Sequence, residues 1–203
     1  MQTFSPQTQP QRLTRILDES WEILAQRIAT GRVSINKEAS LQLHYSSILL
    51  SYGELFCVEP RETFTIELES ASGRKSIDIA CALGDTRAAI ELKCFRKTSN
   101  RACDIDMYDV WCDLERLLSY QEFAVRKFIC LTDNPYYVFG AHSGHAGSLS
   151  IRDGTIYELG AKIAPSWAGT WKDKSRDRCL TLAKRVELHW GQNRGSYSLA
   201  VTL

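Results

Sequence analysis

Apolar and polar positions alternate most clearly over residues 74–97, RKSIDIACALGDTRAAIELKCFRK, where two apolar-rich runs flank Gly84-Asp85. That pattern predicts a β-hairpin. With an even loop centred on the Gly-Asp step, facing residues have numbers of constant sum, so Leu83 faces Thr86 and Asp78 faces Glu91. Because strand side chains alternate between faces, Ile77, Ile79, Cys81, Leu83, Ala88, Ile90, Leu92 and Cys94 form one apolar surface that must pack on a core. The opposite surface carries Ser76, Asp78, Ala80, Ala82, Arg87, Ala89, Glu91, Lys93 and Phe95, two carboxylates and an amine among small residues.

Elsewhere the periodicity switches between helix and strand. Residues 11–29 place Leu13, Ile16, Leu17, Leu24 and Ile28 at helical spacing and stop at Gly31, after a ten-residue tail rich in Pro and Gln. From Asn36, NKEASLQLHYSSILLSYGELF predicts a second helix, with Asn36 or Ser34 as cap and Gly53 as stop. Glu38, Leu41, Tyr45, Ile48 and Tyr52 share its stripe. ETFTIELE, residues 62–69, alternates as a strand with Phe64, Ile66 and Leu68 inward. Ser72-Gly73 joins it to the hairpin, making an antiparallel meander of three strands.

A helix from about Asp104, its predicted N-cap, to Gln121 follows, with Val110, Leu114, Leu117 and Leu118 as its apolar stripe. RKFICL, residues 126–131, reads as a short buried strand, and Tyr136–Phe139 as another. Gly140 to Gly154 has loop composition, and RVELHW and SYSLAVTL, joined by GQNRG, predict a terminal hairpin completing or flanking the sheet. No repeat or domain linker is visible, so residues 1–203 are expected to form a single domain with its core at 36–131 and an elaboration at 140–203.

Composition narrows the class without naming a chemistry. Hydrophobic residues at 44% and charged residues at 24% suit a globular protein, and no apolar run approaches membrane-spanning length. Seven cysteines without C-x-x-C spacing fit neither a disulfide framework nor a zinc ribbon. Together with a polar N-terminus that lacks a signal-peptide pattern, they lead us to expect a cytoplasmic protein. A net charge of +1 confines any nucleic-acid contact to local patches. One patch surrounds the hairpin (Arg74, Lys75, Arg87, Lys93, Arg96, Lys97, Arg101) and one lies between Lys172 and Arg185; each reads equally as a solvated face. Trp167 and Trp171 beside the second patch suit base stacking or plain packing, and His142 and His145 lack acidic or cysteine partners at ligand spacing.

Facing Asp78 and Glu91 sets like charges about 5 Å apart, which destabilises a sheet unless a cation lies between them. Oxygen ligands on rigid strands suit Mg2+ or Mn2+. Lys93, on the same face, is placed to help deprotonate a metal-bound water or to steady charge on a phosphate. An ordinary surface ion-pair cluster is the plain alternative, against which stand the small residues Ala80, Ala82 and Ala89.

The spacing of Asp78 from Glu91-Leu92-Lys93 resembles the PD-(D/E)xK nuclease superfamily, with Ile77 where the name-giving proline would stand. The element order over residues 36–131, helix, three strands, helix, strand, resembles the same restriction endonuclease-like core. The resemblance implies an α/β fold with a central mixed sheet flanked by helices (α-β-β-β-α-β), here with a C-terminal hairpin. It implies a Mg2+- or Mn2+-dependent nuclease, most readily an endonuclease on DNA, with RNA and a homodimer left open. Asp78, Glu91 and the Leu92 carbonyl would hold the metal, Lys93 would orient or activate water, and Glu38 would reach in from the preceding helix with Gln42 as helper. Glu38 equally suits a helix N-terminus through the dipole alone. Arg96, Lys97 and Arg101 would contact phosphates. The alternative is a nuclease-fold module that binds nucleic acid or a protein partner without cutting.

Overall fold

A computed structural model describes residues 7–72, 75–99, 101–165, 176–193 and 195–203. Helix α1 (Gln9–Ala29) starts two residues earlier than the apolar spacing suggests. Thr8 and Gln11 form a reciprocal capping box and Pro10 sits in the first turn, so the end of the expected tail is already helix. Its stripe of Leu13, Ile16, Leu17, Trp21 and Leu24 is buried. Helix α2 (Glu38–Gly53) has Lys37 at its cap position, with no side-chain cap; neither Ser34 nor Asn36 fills that role.

The meander is β1 (Phe64–Ser72), β2 (Lys75–Leu83) and β3 (Thr86–Phe95). The crossover helix α3 (Cys103–Ser119) then leads to β4 (Val125–Thr132), parallel to β3. Ala102, not Asp104, occupies the α3 cap position; Asp104 instead accepts the N–H of its neighbour Ile105. Tyr136–Phe139 forms a single helical turn, α4, rather than a strand. Pro135 sits there with helical φ and ψ, and the Asn134 side chain accepts the Tyr136 N–H. Four apolar residues carry too little periodicity to separate the two.

Two short antiparallel pairings among the described residues and the terminal hairpin follow. Strands β5 (Ile156–Tyr157) and β8 (Val186–Glu187) pair, as do β6 (Lys162–Ile163) and β7 (Leu180–Thr181). The hairpin β9 (Trp190–Asn193) and β10 (Ser196–Thr202) joins the main sheet along β4, as the sequence pattern anticipates. The mixed sheet therefore has six strands in the order β1-β2-β3-β4-β10-β9.

Helices α1 and α2 cover one face of this sheet, burying Ile79, Cys81, Leu83, Ala88, Ile90 and Leu92. Helix α3 covers the other, and the segment carrying Leu149, Ile151, Ile163, Leu180 and Leu182 packs into the same core around it. Of the expected open lining of small residues, Ala80 and Ala89 are buried in the α3 core, and only Ala82 stays half-buried, at a shallow groove with Thr65, Glu67 and Arg87. β1 is an edge strand, and of its three inward positions Phe64 is buried, Ile66 is half-buried and Leu68 is exposed.

The β2–β3 register is the predicted one, from Leu83↔Thr86 to Ile79↔Ile90. Its face assignment fails at one residue. Ile77, expected beside Ile79 on the α1–α2 face, packs in the α3 core. The β1–β2 ladder passes from Leu68↔Ile79 to Ser70↔Ile77, skipping the pair Glu69 and Asp78, and Glu69 has φ +53. A left-handed residue in one strand re-aims the local twist, so β2 turns over at Asp78.

Candidate functional site

The change of face at Asp78 builds the site. Antiparallel pairing of β2 with β3 ends at Ile79↔Ile90, and the Leu92 N–H donates instead to Asp78 Oδ2 at 2.7 Å. Gln42, one turn into α2 from Glu38, donates its side-chain amide to the Asp78 carbonyl at 2.7 Å. The aspartate is thus fixed at both its carboxylate and its backbone where the two strands part. The even-loop geometry predicts that Asp78 faces Glu91, but the ladder stops short of that pair; the two acids are within electrostatic reach of each other all the same.

Glu91 lies under α3 with 1% of its surface exposed. Arg116 donates to it twice, Nε to Oε1 at 3.2 Å and Nη2 to Oε2 at 2.7 Å. The same Nη2 is 2.9 Å from Oδ1 of Asp113, one turn earlier on the helix. Lys93 Nζ contacts Asp113 Oδ2 at 2.7 Å and Glu38 Oε2 at 3.6 Å, and donates to the Leu92 carbonyl at 3.0 Å. Glu38 therefore does meet the predicted cluster from α2, half-buried beside Lys93. Two members escaped the sequence reading, Asp113 and Arg116. Their signal was their spacing: each lies beside an α3 stripe residue, Leu114 or Leu117, at the edge that meets β3.

Four carboxyl groups (Glu38, Asp78, Glu91, Asp113) share a largely buried space with two cations (Lys93, Arg116), so full ionisation would leave two negative charges uncompensated. The titrations respond accordingly. Burial first, then the charge of Asp113, pushes the Glu91 carboxyl up to about 8 despite Arg116. Burial also raises Glu38, with Asp78 and Asp113 adding to it and Lys93 opposing. For Lys93 burial acts to lower the pKa, but Asp113 and Glu38 outweigh it and hold the ammonium above its ordinary range. Arg116 is raised in the same way by Asp113 and Glu91.

A cleft of about 470 Å3 opens beside Lys93 and Glu38, bordered by Lys37, Arg96, Arg101 and Asp109. The predicted phosphate contacts are only partly available in it. Arg96 bonds Asp133 at 2.9 Å and the Ile35 carbonyl at 2.7 Å, while Arg101 pairs with Asp106 and Asp109. Lys97 is exposed, and its backbone N–H donates to Asp133. Both ring nitrogens of His142 are taken up by the Ser150 hydroxyl and the Tyr136 carbonyl, and the residue does not line this cleft. Arg74, Trp167, Trp171, Lys172 and Lys174 lie outside the described residues, as does the side chain of His145.

The donor chemistry around Asp78 and Glu91 is all oxygen, and the two negative charges that full ionisation would leave over match one divalent cation. Among the described residues no group of three or more His, Cys, Asp or Glu is gathered as a ready-made metal shell. Both oxygens of Glu91 are on Arg116, and the Leu92 carbonyl is on Lys93. Charge and donor type therefore fit a dication, which would be held by Asp78 and Glu91 beside Glu38 after these partners are exchanged.

No protein-family model matches the chain, and no solved structure matches it. Over 77 residues, 38% of its length, the chain is 32% identical to the pre-glycoprotein polyprotein GP complex of lymphocytic choriomeningitis virus (strain WE). It spans 16% of that protein, a share that shows no family. Among the described residues no helix is long and apolar enough to cross a membrane.

Proposed function

We propose that the chain is a metal-dependent nuclease of restriction endonuclease-like fold, hydrolysing phosphodiester bonds in DNA with Mg2+ or Mn2+. The observation that carries this reading is the convergence of Glu38, Asp78, Glu91 and Lys93 at the point where β2 and β3 part, with more carboxyl groups than cations. The order helix, three strands, helix, strand and the parallel pairing of β3 with β4 support it.

A bound dication supplies Lewis-acid charge and acidifies a water. The chain's own groups divide the remaining work. Asp78 is pre-oriented by the Leu92 N–H and by Gln42, so it need not reorganise to bind a cation. Lys93, held protonated by Asp113 and Glu38, steadies negative charge on the phosphoryl oxygens; a permanent cation is a poor base at neutral pH. Glu38, half-buried with a raised pKa and open to the cleft, is the group placed to take a proton from the attacking water. Lys37 on the rim and the exposed Lys97 contact the phosphate backbone, with Arg96 and Arg101 following once released from their acids.

The test is incubation of the purified protein with circular, linear and single-stranded DNA in Mn2+ or Mg2+. Cleavage is expected, and Lys93→Ala should abolish it while the circular dichroism spectrum is unchanged. Undiminished cleavage by that variant removes the assignment. A second reading, a nuclease-fold module that binds nucleic acid or a protein without cutting, is favoured by one observation: Arg116 and Lys93 already occupy the ligand oxygens. It predicts no Mg2+-dependent thermal shift, whereas the first predicts a shift that is lost in Asp78→Ala.

A further inference from the structure

Arg116 lies between two carboxylates on different elements. Its Nη2 is 2.7 Å from Glu91 Oε2 on β3 and 2.9 Å from Asp113 Oδ1 on its own helix. The Asp113 contact is local, at i,i+3, and holds whatever the sheet does. The Glu91 contact joins helix to strand and uses both donors, Nε and Nη2. About a fifth of the Arg116 side chain is exposed, so it has solvent on one side into which to turn. One turn further along, Tyr120 carries a buried hydroxyl with no hydrogen-bond partner among the described residues. It is an unused donor and acceptor within electrostatic reach of both Arg116 and Glu91.

We propose that Arg116 is the site's resident counterion: it holds Glu91 in the metal-free protein, cedes that carboxylate to the incoming dication, and stays anchored on Asp113. The inference rests on the nuclease reading, because it presumes a metal at Asp78 and Glu91. It assigns α3 a positioning role that the Asp-Glu-x-Lys spacing does not contain. A buried carboxylate with no cation beside it is costly, and Arg116 supplies that cation until the dication does. It thereby competes with the metal: the apparent dissociation constant is the intrinsic one divided by the fraction of molecules in which Glu91 is free.

The competition has a signature that a merely structural residue lacks. Removing Arg116 should lower the melting temperature of the metal-free protein and, at the same time, tighten Mn2+ binding. Calorimetric titration of wild type and Arg116→Gln with MnCl2, without DNA, reads the second effect directly. We expect Mn2+ affinity to rise about tenfold or more, the return of a Glu91 that is free less than a tenth of the time. Arg116→Lys, which keeps the charge but loses the two-point grip, should fall between the two and covers the case in which the glutamine variant does not fold. Equal or weaker Mn2+ binding by a folded Arg116 variant, with wild type binding measurably, overturns the counterion role and leaves the nuclease reading standing. Absence of Mn2+ binding in both wild type and variants overturns the nuclease reading itself.

Discussion

Replacing Glu91 by Gln should make the metal-free protein more stable, although it removes one partner of a buried ion pair. Glu91 is almost fully buried, and burial together with Asp113 lifts its carboxyl from an ordinary 4.5 to about 8. At about 1.4 kcal/mol per pKa unit, that gap sets a ceiling of roughly 5 kcal/mol on the cost of keeping it charged in the fold. Arg116 is already counted in that value, and because the glutamine amide forgoes the charge-assisted bonds to Arg116, only part of the ceiling, a gain of about 1 to 2 kcal/mol, is expected at pH 8. For a chain of this size that corresponds to a rise of roughly 2–8 °C in Tm. The substitution does not orphan Arg116, which keeps Asp113 at 2.9 Å. The pH dependence follows from the sign of the shift. A carboxyl raised in the fold contributes stability that is complete below its unfolded pKa of 4.5 and lost as pH rises through about 8. Wild type should therefore weaken between pH 5 and pH 8, and Glu91→Gln should weaken less across that window, Glu38 keeping its own smaller share. Thermal denaturation in EDTA at the two pH values reads both effects. A Glu91→Gln protein less stable than wild type at pH 8 would refute the reasoning, because the pair would then stabilise on balance and the surplus of negative charge would not exist.

Arg12→Met should cost about 3 kcal/mol by leaving Glu62, 2% exposed in its side chain, without the guanidinium that bonds both its oxygens at 2.7 Å. The Arg12 contact holds Glu62 down at about 2, so this stabilisation is complete above pH 4.5 and is lost as pH falls towards 2. Melts across pH 2–6 should show the variant losing less on acidification than wild type. Gly53→Ala places a Cβ 2.3–2.5 Å from the ring of Phe64, so despite the better helix former a loss of about 1 to 3 kcal/mol is expected in urea unfolding. Pairing it with Phe64→Leu should recover part of that loss, and strictly additive effects would show that the two sites do not touch.

Legibility of the fold tracked how much each pattern depends on neighbours. The β2–β3 register came from one turn and a constant sum, both local, and it holds for every pair from Leu83↔Thr86 to Ile79↔Ile90. The amphipathic stripes of α1 and α3 likewise declared themselves. The short run Tyr136–Phe139 did not, because a residue pair such as Asn134-Pro135 decides between strand and helical turn through φ and a single cap. The open lining around Ala80 and Ala89 was misread for a different reason. Small residues make room equally for a ligand and for a bulky neighbour, and here Trp111, Leu114 and the rest of the α3 core take the space.

The site exposes the limit of strand parity more sharply. Alternation assigns faces only while each backbone N–H stays in its ladder, and at Asp78 a side chain takes over a neighbour's hydrogen bond, with the strand turning over beside the left-handed Glu69. Asp78 thereby turns its carboxylate to Leu92 across the opening between β2 and β3. The acids gathered there repel one another, so whatever compensates them must come from outside the hairpin. It comes from α3, whose Asp113 and Arg116 flank an otherwise apolar stripe. A buried polar residue on such an edge must find a partner, and the chemistry that leaves Glu91 unpartnered in the hairpin calls for a cation opposite it. Read together, Glu91 on β3 and Arg116 on the crossover helix predict each other, since a β-α-β crossover lays its helix back across the strand it left. Neither residue announces the contact alone, because it joins a period of two to a period of 3.6, and only the topology says where they cross.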